Sequence, residues 1–309
     1  MRSLIEQEVD GAHRIVVWAN GDDHEVAGVA LGETGDVAGK QVCHAGGGVN
    51  LGYAGGVQAA WAEVGDEDTA FVHLANPDTV AAGPGVLGAL AEAATEHQGI
   101  VGPAMSWADG SPRPSAYPVM RPYNVWVKQV SRGWMTRFTR VRGWGAARSA
   151  GTLDGAYLIV TRRVWERLGG LDPGYFLYDD DHDFCNRAAR EGIERWYEPS
   201  VRVLHHGATS RASRRFLCVL EEIRCGLRFT TRFYGRRAGR RVRRILSLSL
   251  EAQIARSSHR ALAWWARHAP TSLPVDEAGI EVSYLRWLAG RACPEAVELQ
   301  RALSVELAG

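Results

Sequence analysis

Residues 155–206 read GAYLIVTRRVWERLGGLDPGYFLYDDDHDFCNRAAREGIERWYEPSVRVLHH. The apolar run Ala156–Val160 ends at Arg162 and Arg163, and the turn Gly169-Gly170-Leu171-Asp172 follows. An aromatic segment then leads into a cluster of carboxylates, Asp179-Asp180-Asp181-His182-Asp183, where a helix is expected to start. The stretch closes on an apolar strand that delivers His205 and His206. Few structural needs demand all of these in order. A metal-assisted group transfer needs carboxylates, an imidazole and a rigid frame.

Upstream of this stretch, short apolar runs alternate with helical patterns. Arg2–His13 reads as the tail of an amphipathic helix, with Leu4, Ile5 and Val9 apolar. Arg14–Ala19 is a short buried strand ended by the turn Asn20-Gly21-Asp22, and Gln41–Cys43 is a weaker strand. Gly46–Gly56 (GGGVNLGYAGG) is a glycine-rich loop before a helix over Val57–Val64. Ala70–Leu74 is a strand closed by Ala75-Asn76-Pro77-Asp78, Pro84–His97 a helix, and Ile100–Pro103 a strand. The alternation predicts an α/β domain with a mostly parallel sheet. No internal repeat is evident.

Composition sets bounds. The 309 residues are 46% hydrophobic and 23% charged, ordinary for a globular chain with a sizeable core. A formal charge of +1 gives no global pull toward nucleic acid. Five cysteines (Cys43, Cys185, Cys218, Cys225, Cys293) are odd in number and form no C-x-x-C pair. Free thiols in a reducing cytosol therefore fit better than a disulfide framework or zinc ribbon. No signal-peptide pattern is present, and no apolar run reaches the roughly 18 residues that span a bilayer.

Four motifs in order resemble the family 2 glycosyltransferases, inverting enzymes with the GT-A fold. RIVVWANGDD (14–23) resembles their second strand and its D-N-G-S-D turn, with Asn20 and Asp22 in the corresponding places. NLGYAGGVQ (50–58) resembles the N-x-G-x-A-G-G-x-N loop, with Gln58 where Asn is usual. LANPDT (74–79) resembles an L-N-P-D-T version of the metal-binding D-x-D, a form that leans toward rhamnosyl transfer in cell-surface polysaccharide assembly. Asp180-Asp181 takes the place of the family's E-D. The resemblance spans about residues 1–210 and implies a Rossmann-like GT-A domain there, followed by a helical extension over 211–309.

The family pattern opens with a strand of the type V-V-V-x-T-Y-N-R and a full first helix. Here Met1 falls inside that helix. Losing a central strand would leave two neighbours with unpaired backbone rows. A misplaced start or truncated gene is therefore expected, with a decayed gene as the alternative.

The resemblance assigns roles. Asn20, Asp22, Asn50, Gly52, Gly56, Asn76 and Asp78 would bind the nucleotide-sugar donor, such as dTDP-rhamnose or a UDP-sugar. Asp78 and His205 would hold a divalent cation, Mg²⁺ or Mn²⁺, whose charge neutralises the leaving diphosphate. On its own Asn-Pro-Asp is an ordinary turn; the strand before it and His205 after it favour the metal. Asp181 would be the base, assisted by Asp180, deprotonating an acceptor hydroxyl that attacks the anomeric carbon from the face opposite the diphosphate. Gly155 and Asp180 would face the acceptor, a glycan or lipid-linked molecule. Carboxylates at a helix start also serve as caps, which suits Asp183. His182, Trp165 and Trp196 read as structural.

Beyond residue 210, Arg211, Arg214, Arg215, Arg224, Arg228, Arg232, Arg236, Arg237, Arg240, Arg241, Arg243 and Arg244 face only Glu221 and Glu222. Interleaved Leu217, Leu220, Ile223, Leu227, Phe229, Phe233 and Tyr234 make a basic amphipathic helix over 211–244. Such a helix suits either an anionic membrane surface or packing on the domain. The expected location is cytoplasmic, peripheral at the inner face of the plasma membrane, with no nucleic-acid role. Two other readings stand beside the enzyme: a catalytically silent GT-A relative acting as a scaffold, and a metal-dependent hydrolase.

Overall fold

The computed structural model describes residues 2–8, 11, 13–20, 35–37, 39–46, 49–64, 69–125, 145–206 and 215–252, with side chains of the last segment over 221–246. Asp22, Arg211 and Arg214 lie outside the described residues, as do residues 253–309. The described residues fall into two compact units. One lies within Met1–Met120, Val141–Pro173 and Asp180–Gly207; the other lies within Arg121–Arg140, Gly174–Asp179 and Ala208–Gly309.

The first unit is α/β. Its elements are α1 (Arg2–Ile5), β1 (His13–Ala19), β2 (Gly35–Val37), β3 (Lys40–Gly46), α2 (Gly52–Val64), β4 (Phe71–Ala75), β5 (Thr79–Ala81) and α3 (Val86–His97). There follow β6 (Ile100–Ser106), β7 (Pro112–Arg113), β8 (Ala116–Tyr117), β9 (Arg148–Ser149), β10 (Thr152–Leu153) and β11 (Tyr157–Thr161). The last are α4 (Arg162–Leu168), α5 (Asp180–Arg190) and β12 (Arg195–His205).

A seven-stranded sheet runs β4-β11-β6-β12-β5, with β7 on β6 and β9 on β12. The expectation of a mostly parallel sheet is corrected here. β11 is antiparallel to both neighbours, and in this sheet only β12 and β6 pair in parallel. Among the described residues β7–β10 lie between β6 and β11 in the chain, a connection that leaves antiparallel pairing open. β1, β3 and β2 form a separate three-stranded sheet, with β1 and β3 parallel.

Alternation along the central strands fills both faces. Ile100, Ala104, Leu158 and Val160 join the core that holds Trp165 and Phe184. Val101, Met105, Tyr157 and Ile159 join a second core against Leu87, Leu90 and Ala94 of α3. Strands buried on both faces read as continuous apolar runs, as IVGPAM and YLIV do. Each buried valine, leucine, isoleucine or methionine among them stabilises the fold by about 1.5–3 kcal/mol. Trp165 is a core residue, as its sequence context suggested, with Trp61 and Phe184 rings at 6.0 and 5.5 Å. Trp196 packs partly buried on the second core.

Local chemistry sets the helix ends. The Thr161 side chain accepts from Val164 N at the start of α4, and Gly169 closes it at φ 73°. α5 opens on Asp180, Asp181 and Asp183 and closes on Arg187 and Arg190, matching the helix dipole at both ends. The chain enters α5 through Tyr178 and Asp179, both left-handed at φ 75° and 62°. Such backbone is costly for residues other than glycine.

In the second unit, α6 (Arg215–Ala252) breaks its helical geometry at Gly235, φ 85° and ψ 165°. Ile223, Leu227, Phe229, Phe233, Val242 and Leu246 are buried. Arg224 and Glu221 are each 1% exposed and paired at 2.7 Å, and Arg224 also donates to the Gly174 carbonyl at 3.1 Å. Arg224 therefore leaves the expected basic surface, because a buried guanidinium is tolerated only when paired and hydrogen-bonded. Arg232, Arg236, Arg237, Arg240, Arg241 and Arg244 remain exposed.

Candidate active site

The glycine-rich segment is more helical than expected. α2 starts at Gly52 and takes in GYAGG as its first turns. Two asparagines explain this start. Asn50 Oδ1 accepts the Gly52 amide at 2.9 Å, satisfying a free N–H at the helix start. Asn20, at the end of β1, accepts the Leu51 amide at 2.8 Å and donates to the Gly52 carbonyl at 2.7 Å. Gly56 packs against that staple: a Cβ there would lie 3.0 Å from Trp18 Cδ1 and 3.2 Å from Asn20 Nδ2. Asn20, Asn50, Gly52 and Gly56 thus form one construction that fixes α2 to β1.

Tyr53 stands at the centre of the site, and the sequence reading did not single it out. Its hydroxyl donates to the Gly155 carbonyl at 2.7 Å across 102 residues of chain. Burial pushes the phenol well above its usual range, and Asp180, Asp181, Asp154 and Asp78 push it the same way. Tyr53 is therefore a neutral donor among carboxylates from three motifs. The available signal was a tyrosine inside an otherwise small-residue helix start; its ring packs against the first core with Val57 and Trp61, which leaves the hydroxyl as the part that carries chemistry.

Gly155 links that phenol to Asp181. Its amide donates to Asp181 Oδ2 at 3.2 Å. A Cβ at Gly155 would come within 3.1 Å of Asp181 Cβ and 3.9 Å of Asp180 Oδ2. The nearest neighbour of a side chain at position 155 would thus be Asp181 itself. Asp181 Oδ1 accepts from the His182 amide at 2.7 Å. Asp180 is buried. Asp154 is held by Arg113 at 2.8 Å and accepts the Ala156 amide at 3.0 Å.

Other residues of α5 make contacts within the fold. Asp183 is fully buried and pairs with Arg187 Nε at 2.7 Å, while Arg187 also donates to the carbonyls of Leu168 and Gly170. Asp183 thus ties α5 to the end of α4, more than a cap would. His182 Nδ1 lies 3.1 Å from Thr152 Oγ1.

The structure brings Asp78 and His205 together. His205 Nε2 is 3.1 Å from Asp78 Oδ2, and the His206 amide donates to the Asp78 carbonyl at 2.9 Å. The cause is register: β5 pairs antiparallel with β12, setting His205 opposite Thr79. Thr79 in turn closes the turn, its Oγ1 donating to the Asn76 carbonyl at 2.6 Å. The side-chain Oδ1 of Asn76 is buried without a partner, as is His205 Nδ1.

A divalent cation fits this donor set in part. One carboxylate and one imidazole face each other, and no group of three or more His, Cys, Asp or Glu converges among the described residues. Mg²⁺ is commonly held by one or two protein ligands, with phosphates and waters completing its shell. The pair suits that mode and not a closed protein cage.

The sequence profile described as "Glycosyltransferase like family 2" matches residues 1–219. The chain belongs to the family 2 glycosyltransferases, and its fold is GT-A. The N-acetylglucosaminyl-diphospho-decaprenol L-rhamnosyltransferase of Mycobacterium tuberculosis (strain ATCC 25618 / H37Rv) is 34% identical over 186 residues, 53% of this chain and 58% of the relative. Rhamnosyltransferase WbbL of Escherichia coli (strain K12) is 33% identical over 52 residues, 17% of this chain and 20% of the relative. The match thus spans less than two thirds of the length of these curated relatives. Among solved structures, GalNAc-T7 with UDP, GalNAc and Mn²⁺ superposes at a TM-score of 0.50 and 13% identity, covering 82% of this chain and 47% of that one. That likeness bears on the fold alone.

Proposed function

We propose that this chain is an inverting glycosyltransferase of the rhamnosyl type, moving a sugar from a nucleotide diphosphate to a hydroxyl of a lipid-linked acceptor. The observation that carries the reading is the link from the Tyr53 hydroxyl to the Gly155 carbonyl and from the Gly155 amide to the Asp181 carboxylate, which ties the NLGYAGG motif to the Asp180-Asp181 motif. The relative from M. tuberculosis is named for an N-acetylglucosaminyl-diphospho-decaprenol acceptor and an L-rhamnosyl group. Both are carried to this chain as part of the proposal.

Asp181 takes the proton of the acceptor hydroxyl as that oxygen bonds to the anomeric carbon; the bond from that carbon to the diphosphate breaks on the opposite face. The Gly155 amide orients the Asp181 carboxylate, and Tyr53 fixes the Gly155 peptide from its other side. Asn20, Asn50 and Gly52 hold the start of α2, whose amides favour the donor's anionic groups. Asp78 and His205 would hold a divalent cation, which supplies charge neutralisation to the departing diphosphate.

The exposed arginines of α6 support peripheral membrane contact on the cytoplasmic side. Arg236, Arg240 and Arg244, and beside them Arg237 and Arg241, recur at four-residue spacing. Each is worth about 1 kcal/mol near an anionic surface. No described helix is long and apolar enough to cross a membrane.

The test is direct. The protein is incubated with dTDP-rhamnose, a polyprenyl-diphospho-N-acetylglucosamine and Mg²⁺ or Mn²⁺, and the glycolipid is separated and weighed by mass spectrometry. The expected result is one added deoxyhexose, lost on chelation. If no common nucleotide sugar is transferred by this chain or by a longer form of it, the silent-relative reading replaces this one.

A further inference from the structure

Asp154, Gly155 and Ala156, between β10 and β11, are gripped by several elements of the first unit. The Asp154 amide donates to the Ser115 carbonyl at 2.9 Å, and the Ala156 carbonyl accepts from the Asn76 amide at 2.8 Å. Between them, the Gly155 amide donates to Asp181 Oδ2 at 3.2 Å, and the Gly155 carbonyl accepts the Tyr53 hydroxyl at 2.7 Å. The Ala156 amide closes on Asp154 Oδ1 at 3.0 Å. The Gly155–Ala156 peptide is therefore held at both polar ends, its carbonyl by Tyr53 and its N–H by Asp154. These grips matter because a glycine's own φ/ψ preferences restrain it little. Neighbouring hydrogen bonds set the direction of the Gly155 amide, and with it the Asp181 carboxylate.

Asp154 in turn needs an anchor. Its Oδ2 meets Arg113 Nη1 at 2.8 Å, with the Arg113 and Asp154 side chains 14% and 13% exposed. Register places the guanidinium: Arg113 stands opposite Met105 in the β6–β7 pairing, and the chain returns as β8 beside β10, which leads into Asp154. Met105 Sδ at 3.0 Å and the Trp107 ring at 5.1 Å frame it. The Tyr117 hydroxyl donates to the Pro114 carbonyl at 2.7 Å and lies 3.4 Å from Asp154 Oδ2, so Arg113 is the strong partner of that oxygen. Two carboxylates, Asp154 and Asp181, flank residue 155. Like charges in a partly enclosed site repel unless one is offset, and Arg113 offsets Asp154.

We propose that Arg113 is a positioning residue for the transfer reaction: through Asp154 and the Gly155–Ala156 peptide it fixes the N–H that orients Asp181. The inference rests on Asp181 being the base of the proposed function. Without Arg113, Asp154 becomes an unpaired charge, releases the Ala156 amide, and lets the Gly155–Ala156 peptide swing on the Tyr53 hydroxyl. Removing both charges differs from removing one. Asp154→Asn still presents an oxygen to the Ala156 amide and leaves no carboxylate to be offset. The burial of Arg113 and its bond to Asp154 favour positioning over capture of an acceptor diphosphate, which needs an open guanidinium.

A double-mutant cycle tests this. Arg113→Met is expected to lower kcat by about tenfold to a hundredfold, with acceptor KM and donor Kd within about twofold of wild type. Arg113→Lys, which keeps the charge, should recover most of the rate. With Asp154→Asn already in place, Arg113→Met should cost less than about threefold, because the group it acts through is neutral. Equal losses in both backgrounds overturn the proposal. So does a raised acceptor KM with kcat unchanged, the result expected of a diphosphate ligand. If Arg113→Met alone does not fold, Asp154→Asn with and without it decides: a further loss of about tenfold in the double variant refutes the coupling.

The Gly155 amide gives a reading free of sugar transfer. Asp-Gly occurs at residues 10–11, 109–110 and 154–155. Isotope labels on aspartate carbonyls and glycine nitrogens therefore give one NMR correlation for each pair, and Asp154→Asn identifies the Gly155 signal by its loss. Arg113→Met should move that amide proton in the same direction as Asp181→Asn does, and an unmoved resonance overturns the proposal. A resonance that follows Arg113 in a chain that transfers no sugar would sink the proposed function and uphold the link from Arg113 to Asp181, so the two failures are distinct.

Discussion

The amide of Gly155 holds the carboxylate of Asp181, with N to Oδ2 at 3.2 Å, and a methyl group at residue 155 would crowd the Asp181 side chain. A Cβ at residue 155 would stand 3.1 Å from Asp181 Cβ, so Gly155→Ala must push Asp181 by a few tenths of an ångström. Misplacement on this scale costs catalysis more than stability, and the expected loss in kcat is about tenfold or more, with donor affinity unchanged. A Gly155→Ala enzyme with wild-type kcat would show that Asp181 need not be held here.

Asp181→Asn keeps size and much of the hydrogen bonding while removing proton affinity. Transfer should fall by roughly 10²–10⁴-fold, the scale of general acid–base catalysis, with donor Kd unchanged by calorimetry. Full activity in this variant ends the assignment of Asp181 as base.

Asp183 answers to a different measurement. It is fully buried on Arg187, so Asp183→Asn weakens an ion pair that also ties α5 to the end of α4. Arg187 keeps its two carbonyl partners, which limits the loss to about 1–3 kcal/mol in urea unfolding. A midpoint that does not move would show the pair to be dispensable.

Much of this site was legible because its parts are local. Asn20, the GYAGG run, Asn76-Pro77-Asp78 and Asp180-Asp181 each sit at the end of a strand or the start of a helix, where turn and cap chemistry shows in sequence. What stayed hidden depends on contacts distant along the chain. Tyr53 reaches Gly155 across 102 residues, and nothing in GYAGG indicates that partner. Arg113 finds Asp154 through the β6–β7 pairing. The burial of Arg224 follows from the Gly174 carbonyl and Glu221, whereas its sequence context shows only a basic run. Strand direction was misread for the same reason, since antiparallel β11 is set by partners and not by its own YLIVT.

Asp78 and His205 test the cation. Because they meet at 3.1 Å through the β5–β12 pairing, removing either leaves one protein ligand. Asp78→Ala and His205→Ala should each weaken Mn²⁺-dependent donor binding by about tenfold or more, while circular dichroism stays unchanged. Donor binding indifferent to both substitutions and to chelator would remove the metal from this site.

The last expectation concerns acid. Burial, helped by the charge of His13 opposite, pushes the His73 imidazole from 6.5 down to about 3. His13 is also lowered, by burial first and Lys40 second. A histidine held neutral in the folded chain binds its proton only after unfolding, so between the two pKa values the unfolded state carries more protons. Stability should therefore be unaffected by this group above pH 6.5 and decline as pH falls from 6.5 toward 3, by at most about 1.4 kcal/mol per pH unit. The window from pH 6.5 to 5 isolates the effect from most carboxylate titration. His73→Asn removes the group and should flatten the decline there, leaving the smaller share of His13. Urea midpoints that fall equally in wild type and His73→Asn over that window would show that His73 takes up its proton in the folded chain as readily as in water.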